Sequence, residues 1–193
     1  MRDRANGYES VAAQYIAGRG TGGPIGVRQV REWAATVRVG GAVLDLGCGP
    51  GYPVTQVLVD AGFQVYGVDS SPSMVAAIRA RFPGVEVVCE PVETSTFFQR
   101  TFDGVIAWGL LFLLRPAVQE RVIRQVARAL APNGVFVFTA PRQACEWNDA
   151  MTGLPSVSLG AERYRCAVEA AGLTMIGETE DEGKNRYYMT SRK

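Results

Sequence analysis

The chain contains no histidine. Histidine is the side chain best suited to proton transfer near neutral pH, so its absence removes Ser-His and Cys-His nucleophile pairs and every His-ligated metal site. Lysine is nearly as scarce, confined to Lys184 and Lys193, and arginine supplies the remaining positive charge. Neither sign dominates: 20 Lys and Arg stand against 19 Asp and Glu, a formal net charge of +1. The basic footprint of a nucleic-acid binder is missing, and no nucleic-acid partner is expected. The 4 cysteines, Cys48, Cys89, Cys145 and Cys166, are spaced too widely for a zinc knuckle or a CxxC redox pair. No disulfide framework is expected, and Cys48 and Cys89 read as small buried hydrophobes. No apolar run approaches a membrane span, and the polar N-terminal stretch lacks a signal-peptide core. These absences predict a cytoplasmic protein with no membrane partner and no metal.

Glycine, by contrast, is plentiful at 22 residues. Its most informative cluster is Val43-Leu44-Asp45-Leu46-Gly47-Cys48-Gly49-Pro50-Gly51. An apolar strand runs into three glycines at alternate positions, where a missing Cβ allows close approach of a ligand. Pro53 then opens an amphipathic run, Val54, Val57, Leu58 and Ala61, stopped by Gly62. Strand, glycine turn and helix together form the setting of a nucleotide-binding loop. A dinucleotide fingerprint reads GxGxxG, whereas here the spacing is GxGxG, with Tyr52 at the place of the last glycine. Asp45, two residues before the first glycine, would repel a diphosphate and attract an ammonium or sulfonium.

VLDLGCGPG resembles the first motif of class I (Rossmann-like) S-adenosylmethionine-dependent methyltransferases of the small-molecule type. The resemblance implies S-adenosylmethionine as methyl donor, S-adenosylhomocysteine as product, and no metal. It places Asp45, Gly47, Cys48, Gly49 and Gly51 in the cofactor set. Asp69, at the end of the second strand, is expected to accept both ribose hydroxyls, with Ser70 and Met74 beside it. The stretch from Cys89 to Glu93 is where the adenine edge would be read, by Glu90 or Glu93, with Val92 between them. Trp108, after the fourth strand, would face the methionine end through its backbone, and its ring face suits a cation.

Alternation of strand and helix with short connections predicts a doubly wound α/β fold, a mostly parallel seven-stranded sheet with helices on both faces. Strands are expected at Ala42–Leu46, Phe63–Asp69, Val85–Cys89, Phe102–Trp108 and Val135–Thr139. Helices are expected from Pro72 to about Phe82, with Ser71 as N-cap, from Pro116 to about Leu130, and from Gly160 to Ala171. Leu173–Glu178 and Asn185–Thr190, joined by the turn Asp181-Glu182-Gly183, must pair antiparallel, which makes the last strand the reversed one. Residues 1–193 read as one domain. Within it, 40–193 form the Rossmann-like core and 1–39 an N-terminal helical lid around the glycine-rich stretch Gly18–Pro24.

Substrate contacts are expected from the lid and from loops at strand carboxyl ends. The lid offers Tyr8, Tyr15 and Arg19. The segment after strand four offers Leu110 and Phe112, and a long loop after strand five offers Arg142, Trp147 and Asn148. Tyr15 and Trp108 are the candidates for positioning the reactants. With no histidine to serve as base, the expected acceptor is an already nucleophilic atom of a small molecule: nitrogen, sulfur or ionised oxygen. Transfer would then be an in-line displacement governed by positioning. Two rivals remain at this level, a nicotinamide-dependent oxidoreductase and a non-catalytic S-adenosylmethionine-binding module. A monomer or a homodimer fits either reading.

Overall fold

The computed structural model describes residues 5–19 and 25–193, with only the backbone of Arg19. Its centre is a seven-stranded sheet in the order β3-β2-β1-β4-β5-β9-β8. The ranges are β1 Ala42–Leu46, β2 Gln64–Asp69, β3 Glu86–Cys89, β4 Phe102–Ala107, β5 Leu130–Thr139, β8 Leu173–Glu180 and β9 Arg186–Arg192. The first five strands run parallel, and β9 lies antiparallel to both β5 and β8. The strand expected to be reversed is the reversed one. Within β5, the ladder pairs Leu130 with Phe102, swells over the Asn133-Gly134 turn, and resumes at Val135 opposite Gly104. That accounts for a helix ending near Leu130 and a strand resuming at Val135.

Period-2 alternation sorts the strand residues onto two buried faces. Leu44, Tyr66, Phe136, Phe138 and Tyr188 meet Val122, Ile123 and Val126 of α5 (Pro116–Ala129) and Tyr164 of α6 (Ala161–Ala170). Their immediate neighbours Val43, Val65, Val137 and Tyr187 point the other way. There they meet Val57 and Leu58 of α3 (Val54–Asp60) and Val30 and Trp33 of α2 (Val27–Ala34). The helix α4 (Pro72–Arg81) follows on this same side, packing Val75 and Ile78 on Val87 and Cys48. A sheet buried on both faces has strands that are apolar nearly throughout; β1 and β4 each carry one acid, Asp45 and Asp103, in an otherwise apolar run. Of the N-terminal elements, α2 contributes Trp33 to this core, while α1 (Ala12–Arg19) lies against α4.

Two expectations need correction. The segment after β5 is not a loop: β6 (Ala144–Asn148) and β7 (Pro155–Leu159) form an antiparallel pair of their own. Its strands are short and polar, with four of the five β6 residues exposed, so no apolar alternation marks them. The hairpin is fixed to the body by buried Gln119. Its amide donates to the carbonyls of Leu114 (2.8 Å) and Val157 (2.9 Å), and its oxygen accepts from Tyr164 (2.7 Å). Cys89 is exposed rather than buried, because it closes the edge strand β3; Cys48 is buried, and all four cysteines are free. Among the described residues, no helix is long and apolar enough to cross a membrane.

Candidate active site

In doubly wound sheets, ligands lie beyond the carboxyl ends of the strands where strand order reverses. Here that point falls at β1, flanked by β2 and β4. The glycine turn leaves β1 there and is stitched to β2, since the amides of Gly47 (2.8 Å) and Cys48 (3.2 Å) both donate to the Val68 carbonyl. Gly49 and Gly51 both have positive φ, 52° and 84°, but for different reasons. A Cβ on Gly51 would come within 2.6 Å of the Phe82 ring, so this glycine lets the turn pack on α4. A Cβ on Gly49 would meet nothing nearer than Tyr15, at 3.8 Å, and would project into an open cavity of about 210 Å³.

Asp69, at the end of β2, is the polar centre of that cavity. Its two oxygens accept from the backbone amides of Gly49 (2.8 Å) and Ser71 (2.9 Å). Burial raises its pKa above the usual carboxylate range, and the amide bonds oppose that rise. A carboxylate oxygen can take more than one hydrogen bond, so lone pairs remain for a ligand. Ser70 and Met74 line the wall beside it, and Glu90, Val92 and Glu93 line the next sector, after β3. Both glutamates therefore border the cavity.

The far wall follows β4. Trp108, Leu110 and Phe112 line it, the last within a 3-10 turn at Leu111–Leu113. The Trp108 indole donates to the Tyr187 hydroxyl (2.5 Å), which donates onward to Asp181 (2.9 Å). Tyr187 is 1% exposed, and burial lifts its pKa above the ordinary phenol value. This brace fixes the ring plane of Trp108. The roof comes from the N-terminal segment, where Tyr8 and Tyr15 line the cavity and pack edge to face, 5.4 Å between centroids. On one side of the roof, Glu9 accepts from Ser73 (backbone 3.1 Å, hydroxyl 2.7 Å) and from the Ser71 hydroxyl at the start of α4. These bonds, that from Ser71 foremost, hold Glu9 below the usual carboxylate range. On the other side, the Tyr8 hydroxyl donates to Asp149 (3.2 Å) in the β6–β7 turn.

Six candidates lie off the cavity lining. Asp45 is 2% exposed and accepts from Thr55 of α3 (2.7 Å). Strand parity explains its direction: it shares a face with Val43, toward α3, and burial pushes its pKa up to about 7. It ties β1 to α3 and does not line the cavity. Cys48 packs on Gly67, and burial raises its thiol well above the ordinary value, so it is a packing residue. Gly51 serves the turn, as described. Arg142 lines a separate depression beside α6; its carbonyl accepts from Ala161 (2.8 Å), which turns the chain away from the cavity. Trp147 and Asn148 line an adjoining hollow of about 330 Å³, with Trp147 reaching the cavity wall through Phe112 (centroids 5.3 Å). The Arg19 side chain lies outside the described residues.

Glu9, Asp181, Asn185 and Tyr187 enter the site without having been anticipated. Only the Asp181-Glu182-Gly183 turn carried a sequence signal, and it marked a turn and nothing more. Among the described residues, no group of three or more Cys, Asp or Glu is arranged to hold a metal.

A family model described as a methyltransferase domain matches residues 43–134. That match covers just under half of the chain. An uncharacterized methyltransferase of Synechocystis sp. is 32% identical over 108 residues, covering 56% of this chain and 50% of that protein. The chain spans about half the length, or less, of most of the curated relatives it matches. In fold, it is similar to the glycopeptide N-methyltransferase MtfA complexed with S-adenosylhomocysteine. The TM-score is 0.73 at 18% identity, covering 87% of this chain and 90% of that one. It is also similar to the cyclase SpnF, with TM-score 0.68 at 20% identity, covering 86% and 80%. The Rossmann-like fold is thereby established, and the second likeness shows that the fold alone does not fix a reaction. The matched stretch begins in β1 and stops inside β5, so it holds the glycine turn, Asp69, Glu90, Glu93 and Trp108. The roof, the hairpin and the β8–β9 turn lie outside it.

Proposed function

We propose that this protein is an S-adenosylmethionine-dependent methyltransferase acting on a small molecule. The observation that carries the reading is Asp69, a cavity-lining carboxylate preset by two backbone amides next to Gly49, the turn residue with no Cβ on its cavity side. That arrangement fits a nucleoside: Asp69 would accept the ribose hydroxyls, Glu90 or Glu93 would accept from the adenine amine, and the open face of Gly49 would admit the amino-acid end. When bound, S-adenosylmethionine supplies an electrophilic methyl group on a sulfonium.

The chain's own residues bind, orient and exclude water. Trp108, held by Tyr187, presents a fixed aromatic face, which favours a cation that has been stripped of water. Leu110 and Phe112 make the wall apolar, and the lid formed by residues 5–19, with Tyr8 and Tyr15, covers the site. Positioning of this kind supplies several kcal/mol of a displacement barrier. With no histidine in the chain, the acceptor is a neutral amine, a thiolate or an already ionised oxygen. We read residues 1–193 as one domain working in the cytoplasm, as monomer or homodimer, without metal, membrane or nucleic acid. Four unpaired cysteines suit a reducing compartment.

Calorimetry with S-adenosylhomocysteine and with NAD is the first test, and submicromolar to micromolar binding of the former alone is expected. Formation of S-adenosylhomocysteine from the donor across a panel of amines, thiols and phenols is the second. Preference for NAD would overturn the cofactor assignment. Binding without turnover on any acceptor would favour a sensing module.

A further inference from the structure

The hollow beside the cavity shares Phe112, Asp149 and Asn185 with it, so one ligand can reach from one into the other. Its chemistry differs from that of the cavity. Lys184 and Arg186 both line it, with Trp147 beside Phe112 as an aromatic wall. Lys184 is one of only two lysines in the chain, and its ammonium has no ion-pair or hydrogen-bond partner among the described residues. It sits on a turn that cannot wander. One oxygen of Asp181 accepts from the amides of Gly183 and Asn185 (both 2.9 Å) and from the Asn185 side chain (3.0 Å).

Arg186 is also under-used. Its terminal nitrogens stand 3.8 and 4.0 Å from Glu178 and Glu180, beyond hydrogen-bond reach, and its buried Nε has no acceptor. The one carboxylate in the hollow, Asp149, is engaged at both oxygens. It accepts from Met151, from Thr152 and from Tyr8. An unpaired ammonium and a loosely held guanidinium next to an aromatic wall form a receptor for a planar anion.

We propose that this hollow is the acceptor subsite and that the acceptor is a small aromatic carboxylate. Lys184 and Arg186 take the carboxylate, Trp147 and Phe112 flank the ring, and the nucleophilic end points across Phe112 into the cavity. The inference rests on the methyltransferase reading and names its substrate class.

The test loads the protein with S-adenosylhomocysteine, then titrates benzoate, 4-hydroxyphenylacetate and indole-3-acetate against their uncharged amides by calorimetry. At least one carboxylate is expected to bind tenfold or more tighter than its amide. Lys184→Gln and Arg186→Gln should each reduce that ratio to below threefold, and Lys184→Arg should retain it. S-adenosylhomocysteine affinity should change less than twofold in all three variants. The proposal is overturned if amides bind as well as carboxylates, if the preference survives both charge-removing variants, or if no carboxylate binds the loaded protein. Failure of S-adenosylhomocysteine itself to bind shows in the first titration and overturns the underlying reading instead.

Discussion

Asp45→Asn puts the strand-parity account of the glycine turn to a quantitative test. Asp45 is almost wholly buried, takes one hydrogen bond from Thr55, and has its pKa raised to about 7. In the unfolded chain it ionises near the ordinary aspartate value, about 3.9. Between about pH 4 and pH 7, the folded state therefore keeps a proton that the unfolded chain has released. Stability must fall as pH rises through that window and level off above it. A gap of about 3 units at roughly 1.4 kcal/mol each makes the full loss on the order of 4 kcal/mol. Roughly 2–3 kcal/mol of it falls between pH 5 and pH 8. Asparagine keeps an oxygen for the Thr55 hydroxyl and cannot ionise. Urea unfolding of parent and variant at half-unit steps from pH 5 to 8 isolates this group. Glu9 and Asp103, whose pKa values are lowered, act at lower pH and cancel in the difference. The variant should gain on the parent steadily up to about pH 7 and then run parallel. A difference that stays flat from pH 5 to 8 refutes the buried, largely neutral Asp45.

Three further outcomes are expected. On the proposed reading, Asp69→Ala removes a charged acceptor for two ribose hydroxyls, and hydrogen bonds to charged groups are worth about 1.5–3 kcal/mol each. S-adenosylhomocysteine affinity by calorimetry should fall at least tenfold, and unchanged affinity would remove Asp69 from the ribose site. Gly49→Val forces a β-branched residue to positive φ at a cost of about 1–2 kcal/mol and puts methyl groups in the cavity. Binding should vanish while the far-ultraviolet circular dichroism is kept; a variant that still binds would show that this face is not the ligand's. Glu9→Ala cuts the roof from α4, but Ser71 still caps the helix. The thermal midpoint should drop by no more than about 4 °C while the amides of residues 9–15 exchange faster. Unchanged exchange would show that the Glu9 bonds do not hold the roof.

The fold was legible because both of its periodicities are written in apolar residues. Strands buried on two faces and helices ended by Gly62 and Gly172 leave little room for another arrangement, whereas the β6–β7 hairpin, with β6 exposed and serines Ser156 and Ser158 at buried positions of β7, carries no such mark. Within the site, residues on the glycine turn and at strand ends could be placed by position along the chain. Side-chain direction was harder, although Asp45 was within reach, since Val43 and Leu44 alternate and place Asp45 on the α3 face. The Trp108–Tyr187–Asp181 brace joins β4 to the β8–β9 turn across 79 and 73 residues of chain, and no local pattern encodes such a contact. The same holds for Glu9 on α4.

The register of β9 has a practical consequence for anyone handling this protein. Tyr187 pairs with Thr139 at the cavity end of the sheet, and Ser191 pairs with Val135 farther down, so β9 ends at the side of the sheet remote from the cavity. Ala5, by contrast, lines the cavity. A bulky label on Ala5 would stand at the cavity. Fluorophores and surface anchors therefore belong near Ser191, at the sheet end remote from the cavity.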